Sequence, residues 1–341
     1  MVFAFSGPRV HQAARGRRTT VITALAVLVL ILAHPSAGSA APVPPRQPYR
    51  PALHFTPQQG WMNDPNGLVY AKGVYHLFFQ HNPFGTAWGN MSWGHATSPD
   101  LMTWTEQPIA IPQTRTSDGV STEDIFSGSV VVDQNNSSGF GTLEDPPMVA
   151  IYTSAYTPAH PRYPGVQAQS LAYSRDDGQT WTKYSGNPVL SRNTDNFRDP
   201  KVFWYDGPGG SYWVMAAVVA TEHQVVLYRS SDLKNWTYMS DFGPANAVGG
   251  QWECPDLFPL AVNGDPTNLK WVLVVNLNPG AVAGGSGGQY FVGDFDGVTF
   301  TSQTTATDQL PEGQVIAGFD GGFFEGWSVE NEAGNAKGPW G

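Results

Sequence analysis

Three carboxylates in this chain stand in similar local text although they lie far apart. The run Trp61-Met62-Asn63-Asp64-Pro65-Asn66-Gly67 sets Asp64 in a cramped turn where a strand is expected to begin. Asp199, in Arg198-Asp199-Pro200, and Glu253, in Trp252-Glu253-Cys254-Pro255, have matching surroundings. Acids in equivalent settings read as one site assembled from repeated units, which is what glycoside hydrolysis by paired carboxylates requires. Proline is tolerated at the first position of a strand because no ladder donor is yet needed there. The resulting stiff backbone would hold a reacting group in position. Each acid also has a plainer reading: Asp before Pro is a common turn former. Glu253 is harder to dismiss, since a carboxyl near Trp252 and Phe258 must be paired, protonated or functional.

The elements that would position these acids repeat along the chain. Short apolar strands at Gly67-Leu68-Val69-Tyr70, Ser129-Val130-Val131-Val132, Lys201-Val202-Phe203-Trp204 and Asp256-Leu257-Phe258 are each followed by a stronger one. The stronger strands are expected at 76–80, 149–153, 212–219 and 271–276. Three units then carry an Asp turn with a downstream Trp, at 98–104, 174–181 and 230–236. The recurring Trp is expected to pack between neighbouring units. Several strands per unit, no convincing helix and a repeat of about sixty residues predict an all-β chain folded as a β-propeller. A β-sandwich is the alternative, but it demands no repeated aromatic at matched register. In a propeller the innermost strands line an axial channel, so the three acids would converge at one mouth.

Composition fits this picture. The 341 residues are 41% hydrophobic and 13% charged, with 12 Trp, 13 Tyr and 18 Phe beside 38 Gly and 28 Pro, which suits many short strands and turns. At the start, Arg9, Arg15, Arg17 and Arg18 precede an apolar run from Val21 to Ala33 and the small residues Ser36 to Ala40. This order reads as a secretory signal peptide over 1–40. The apolar run falls short of the roughly 20 residues needed to span a bilayer, so the mature protein is expected to be secreted, with no membrane attachment. Without those four arginines, 14 basic residues face 28 acidic ones, a net charge of about −14, and nucleic acid is excluded as a partner. Cys254 is the sole cysteine, so no intramolecular disulfide can form, and it is expected to be a buried thiol beside Glu253. No His/Cys/Asp grouping has metal-ligand spacing, and the Gly284–Gly288 loop lacks the Lys and helix of a phosphate cradle. No metal or cofactor is expected. His76 and His95 read as structural.

Five motifs taken together resemble glycoside hydrolase family 32, which includes invertases, inulinases and levanases. They are Trp61 to Gly67, Trp88-Gly89-Asn90-Met91-Ser92-Trp93-Gly94-His95, Phe126-Ser127-Gly128-Ser129, Arg198-Asp199-Pro200 and Trp252-Glu253-Cys254-Pro255-Asp256, in order between His54 and Phe300. The resemblance implies a five-bladed propeller, usually followed by a C-terminal β-sandwich, and release of fructose from β-fructosides with retention of configuration. It implies that Asp64 is the nucleophile, Glu253 the general acid/base and Asp199 the transition-state stabiliser. Trp61, Asn63, Gln80, Trp88, Phe126 and Ser127 match positions lining the fructose subsite, and Arg198 is expected to partner one of the acids. For Trp61 and Trp88, core packing stands beside a sugar-facing role, since aromatic faces serve both.

The expected domains are the signal peptide over 1–40, a proline-rich linker over 41–52 and the propeller over 53–303. Residues 304–341 resemble the start of an inserted or C-terminal β-module. A fifth blade is expected to be missing or incomplete in this chain, and the sandwich absent. The substrates implied are levan, inulin and, as a minor one, sucrose. Against this stand a non-catalytic carbohydrate-binding propeller or inactive fragment, a fructosyltransferase, and a sialidase. The turn at Ser174 to Trp181 fits sialidase propellers too, but the aligned acids supply neither the clustered arginines nor the tyrosine nucleophile that a sialidase needs.

Overall fold

The computed structural model describes residues 49–51, 54–281 and 284–303. The expected signal peptide, most of the expected linker and the segment 304–341 lie outside the described residues. What is described is all-β apart from a single 3-10 turn at Ala220–Glu222, arranged as a β-propeller with four blades. The first blade comprises β1 (Trp61–Ala71), β2 (Val74–Asn82), β3 (Ser92–Ser98) and β4 (Thr105–Ile111). The second comprises β5 (Thr114–Arg115), β6 (Ser121–Val132), β7 (Met148–Tyr156), β8 (Gln167–Ser174), β9 (Thr182–Lys183) and β10 (Leu190–Thr194). The third runs through β11 (Phe197–Gly207), β12 (Gly210–Val219), β13 (Gln224–Ser230) and β14 (Thr237–Phe242). The fourth runs through β15 (Gln251–Val262), β16 (Asp265–Asn278), β17 (Gly287–Phe295) and β18 (Phe300–Ser302). All pairings are antiparallel, in sequential order from the axis outward in the first, third and fourth blades.

The inner strands β1, β6, β11 and β15 stand side by side in that order. The strongly apolar segments expected from the sequence fall within β2, β7, β12 and β16. Between blades lie separate apolar cores: Phe78 and Trp93 meet Ile125 and Tyr152, Val149 and Leu171 meet Phe197 and Met215, and Val214 and Leu227 meet Trp252 and Leu273. Complete burial of each such side chain contributes about 1.5–3 kcal/mol, so packing between blades is what holds their angular positions.

The Asp turns close the outer hairpins at the end away from the acids. In the first, Ser98 Oγ accepts from Leu101 N at 2.8 Å, and Asp100 Oδ1 accepts from Met102 N and Thr103 N. Trp104, Trp181 and Trp236 each donate their indole N–H to a carbonyl three residues earlier. Trp181 bridges to Phe78 of the preceding blade with ring centroids 5.3 Å apart, as expected, whereas Trp104 meets Phe55. The fourth blade has the same turn without its Ser or Trp. There Asp296 accepts from Val298 N and Thr299 N, and Phe300 takes the aromatic place in the core.

Candidate active site

The acids sit inside long inner strands, not in turns that precede them. Each inner strand runs for 11 or 12 residues and contains a β-bulge at the expected site position. In β1, Asn63 and Asp64 together oppose Gln80; in β11, Asp199 and Pro200 oppose Ala217; in β15, Cys254 and Pro255 oppose Val275. In β6 the extra residue is Ser127. A bulge bends the strand and re-aims its side chains, so residues adjacent in sequence can both reach the axial channel.

This pairing corrects the expectation that the three acids share one register. Asp199 and Cys254 occupy the same bulge position, both with left-handed backbone at φ 60 and φ 46. Glu253 is one place earlier and corresponds to Arg198. Non-glycine residues in this region are uncommon and cost of the order of 1–2 kcal/mol. Two of them at matched places in neighbouring blades mark a site under structural demand.

Asp64 is held by three side-chain donors, one of them the Cys254 thiol. Ser127 Oγ donates to Oδ2 at 2.8 Å, and Asn63 Nδ2 donates to Oδ1 at 3.2 Å. Asn63 in turn accepts from the Trp61 indole at 2.8 Å. Asp199 is buried; its amide donates to Thr153 Oγ1 at 2.9 Å, and its Oδ2 accepts from Cys254 N at 3.0 Å. Burial pushes its carboxyl up to about 6, against the opposing pull of the Arg198 charge and the Cys254 N–H, while Glu253 and Asp64 add to the rise. Both oxygens of Glu253 are engaged, Oε1 with Arg198 Nη2 at 2.9 Å and Oε2 with Asn278 Nδ2 at 2.9 Å. Of the possibilities left open by its sequence, Glu253 is therefore paired. Trp252 faces the other way, fully buried between blades with its indole donating to Ala247 O.

Arg198 ties two of the acids together. Besides Glu253, its Nε lies 3.9 Å from Asp199 Oδ2, and Gln251 and Gln167 occupy further donors. The residue is buried, and its charge is shared between two of the three carboxylates. Cys254 is half-buried as a residue, and its Sγ is enclosed between the other two acids, 3.6 Å from Asp64 Oδ2 and 3.7 Å from Asp199 Oδ2. Burial and the three surrounding carboxylates hold its thiol well above the usual range.

The remaining candidates divide by exposure. Gln80 is buried opposite the first bulge and donates to Ile125 O at 2.8 Å. Trp88 is 60% exposed, which settles it against a core role, and its ring meets Phe126 edge-on at 5.9 Å. His76 and His95 are structural, as expected. Their rings hydrogen-bond at 3.1 Å beside Phe78, and burial, then the charge of His76, pushes His95 down to about 3. Sequence reasoning missed Thr153, Gln251 and Asn278, which reach the acids only through cross-strand register. Among the described residues no group of three or more His, Cys, Asp or Glu could hold a metal ion, and no helix is long and apolar enough to cross a membrane.

Three converging carboxylates on bulged inner strands can be set beside known proteins. The model of the glycosyl hydrolases family 32 N-terminal domain matches residues 54–323. The chain belongs to this family. It is 52% identical over 258 residues to a levanase of Bacillus subtilis, covering 75% of this chain and 36% of that protein. It is 49% identical over 301 residues to an extracellular exo-inulinase of Aspergillus niger, covering 81% and 55%. Among solved structures, the exo-inulinase of Aspergillus awamori superposes with a TM-score of 0.69 at 49% identity, over 75% of this chain and 52% of that one. The family 32 chain thus spans about half or less of the length of these relatives.

Proposed function

We propose that this family 32 protein is a retaining β-fructosidase that releases fructose from the ends of fructans such as levan and inulin, with sucrose as a minor substrate. The observation that carries the proposal is the convergence of Asp64, Asp199 and Glu253 on one channel mouth, linked through Arg198 and Cys254. Levanase and exo-inulinase relatives support the substrate class.

In this mechanism Asp64 attacks the anomeric carbon of fructose while Glu253 gives its proton to the departing glycosidic oxygen. Water, deprotonated by Glu253, then cleaves the fructosyl ester and restores both groups. Ser127 and Asn63 orient Asp64, and Arg198 and Asn278 orient Glu253. Asp199 binds fructose hydroxyls beside the developing oxocarbenium charge, with Trp61, Gln80, Trp88 and Phe126 completing the subsite. The same reading gives the complete ring five blades, of which the described residues form four, and places the enzyme outside the cell.

The test is fructose release from levan, inulin and sucrose, with the anomer formed first followed by NMR. Initial β-fructose, and loss of at least a thousandfold in kcat for Asp64→Ala and Glu253→Gln, is the expected result. Binding of fructan without release would instead identify a carbohydrate-binding propeller, and free glucose without matching fructose a transferase.

A further inference from the structure

Beyond the acids, β6 continues toward the channel mouth, and its side chains there sort by face. Glu123 and Ile125 are buried, Ile125 in the core against the first blade and Glu123 among Ser154, Thr114 and Lys183. Alternation along a strand sends Asp124 and Phe126 the other way. Phe126 meets the exposed Trp88, so Asp124 lies on the same wall, one alternation further out. At about 3.3 Å per residue it stands roughly 7 Å beyond Phe126 along the strand.

The surroundings of Asp124 are built yet incomplete. Ser121 Oγ donates to its Oδ1 at 3.0 Å, and among the described residues no hydrogen bond to Oδ2 is seen. Arg115, whose charge acts on it, forms no ion pair with it among the described residues; its Nε, Nη1 and Nη2 bond instead to Gln113, Gly119 O and Asn90. The Arg115 guanidinium also lies 4.8 Å over the ring of Phe84, which is 67% exposed. The result is a rim bearing two exposed aromatic rings, Phe84 and Trp88, and one half-buried carboxylate with a free acceptor. Few polar groups at fixed positions among aromatic faces are the makings of a sugar site.

We propose that Asp124 is a specificity-determining residue for the departing part of the substrate: Oδ2 accepts a hydroxyl of the sugar next to the scissile bond, and Phe84 offers its ring to that sugar. This rests on the β-fructosidase reading and deepens it, since none of the groups assigned to the fructosyl unit or to bond cleavage includes Asp124 or Phe84.

The experiment compares substrates that share the fructosyl group but differ in what leaves. Methyl β-fructofuranoside has no second sugar, whereas sucrose and inulin do. For Asp124→Asn, kcat/KM on sucrose and inulin is expected to fall about tenfold or more, the size of a lost hydrogen bond to a charged group. On the methyl glycoside it should stay within about twofold. Phe84→Ala, a change at an exposed side chain, should show the same selectivity in KM. An equal fall on all three substrates, or no fall on any, would overturn the assignment. Wild-type protein inert on all three would overturn the fructosidase reading itself, and the subsite with it.

Discussion

Asp199 carries a measurable stability cost. Its carboxyl lies at about 6 in the folded protein against 3.8 for the free group. The folded state therefore holds the proton more tightly than the unfolded state, and the associated stability is present below pH 3.8 and lost as pH rises through about 6. At 1.36 kcal/mol per tenfold change, the full loss is no more than about 3 kcal/mol. Asp199→Asn removes the titration while its side-chain oxygen can still accept from Cys254 N, 3.0 Å away in the wild type. The variant should match wild type in urea denaturation near pH 4 and exceed it progressively up to pH 7.5, by up to that amount. At about 2–4 °C per kcal/mol for a domain of this size, the gap is visible in thermal melts as well. Fructose release should meanwhile fall steeply, because the neutral amide cannot offset positive charge in the transition state. A stability gap independent of pH, or one favouring wild type at pH 7.5, would refute the reasoning. A stabilised, inactive variant is what a site charged for chemistry at the expense of the fold predicts.

Three other outcomes follow from the same geometry. Ser127→Ala removes the 2.8 Å donor to Asp64; kcat/KM should drop about 10–100-fold with little change in Tm, and an unaltered rate would deny that bond a role. The turn aspartates should make the propeller acid-sensitive. Backbone N–H groups of Thr103 and Met102 hold Asp100 below the usual carboxylate range, and at Asp232 the bonds from Asn235 and Lys234 outweigh burial. Their depressed values give stability that is present above the unfolded pKa and lost as pH falls, so Asp232→Asn should flatten the fall in Tm between pH 5 and pH 3. Gly128→Ala would place a methyl 2.1 Å from Ile151 O at the second bulge; unfolding measurements should show a loss of about 3 kcal/mol or more.

Much of the blade plan was legible because each unit declares itself twice, by an apolar strand pair and by an Asp turn. The fourth turn escaped notice because Asp294 and Phe300 stand where Ser and Trp stand elsewhere, while its backbone bonds to Asp296 are unchanged. Convergence of the acids was legible for a related reason: proline next to a polar residue at the start of an apolar run marks an inner strand. Their relative registers were not. A proline accompanies each of these bulges without showing which neighbours take the bulged places, so Glu253 read as the counterpart of Asp199 when the pairing makes Cys254 that counterpart. Asn278 and Thr153 were invisible for the same cause, since cross-strand partners follow from register and not from neighbouring text.

The matched bulges of the third and fourth blades also bear on how such a site can change over time. Arg198-Asp199 and Glu253-Cys254 fill two equivalent pairs of sockets, each ahead of a proline. Charge and chemistry can then be traded between blades, or a socket refilled with a different group, while the backbone that aims it stays as it is. Duplicated blades would in that view begin with duplicate side chains, and catalysis would arise as the copies diverge.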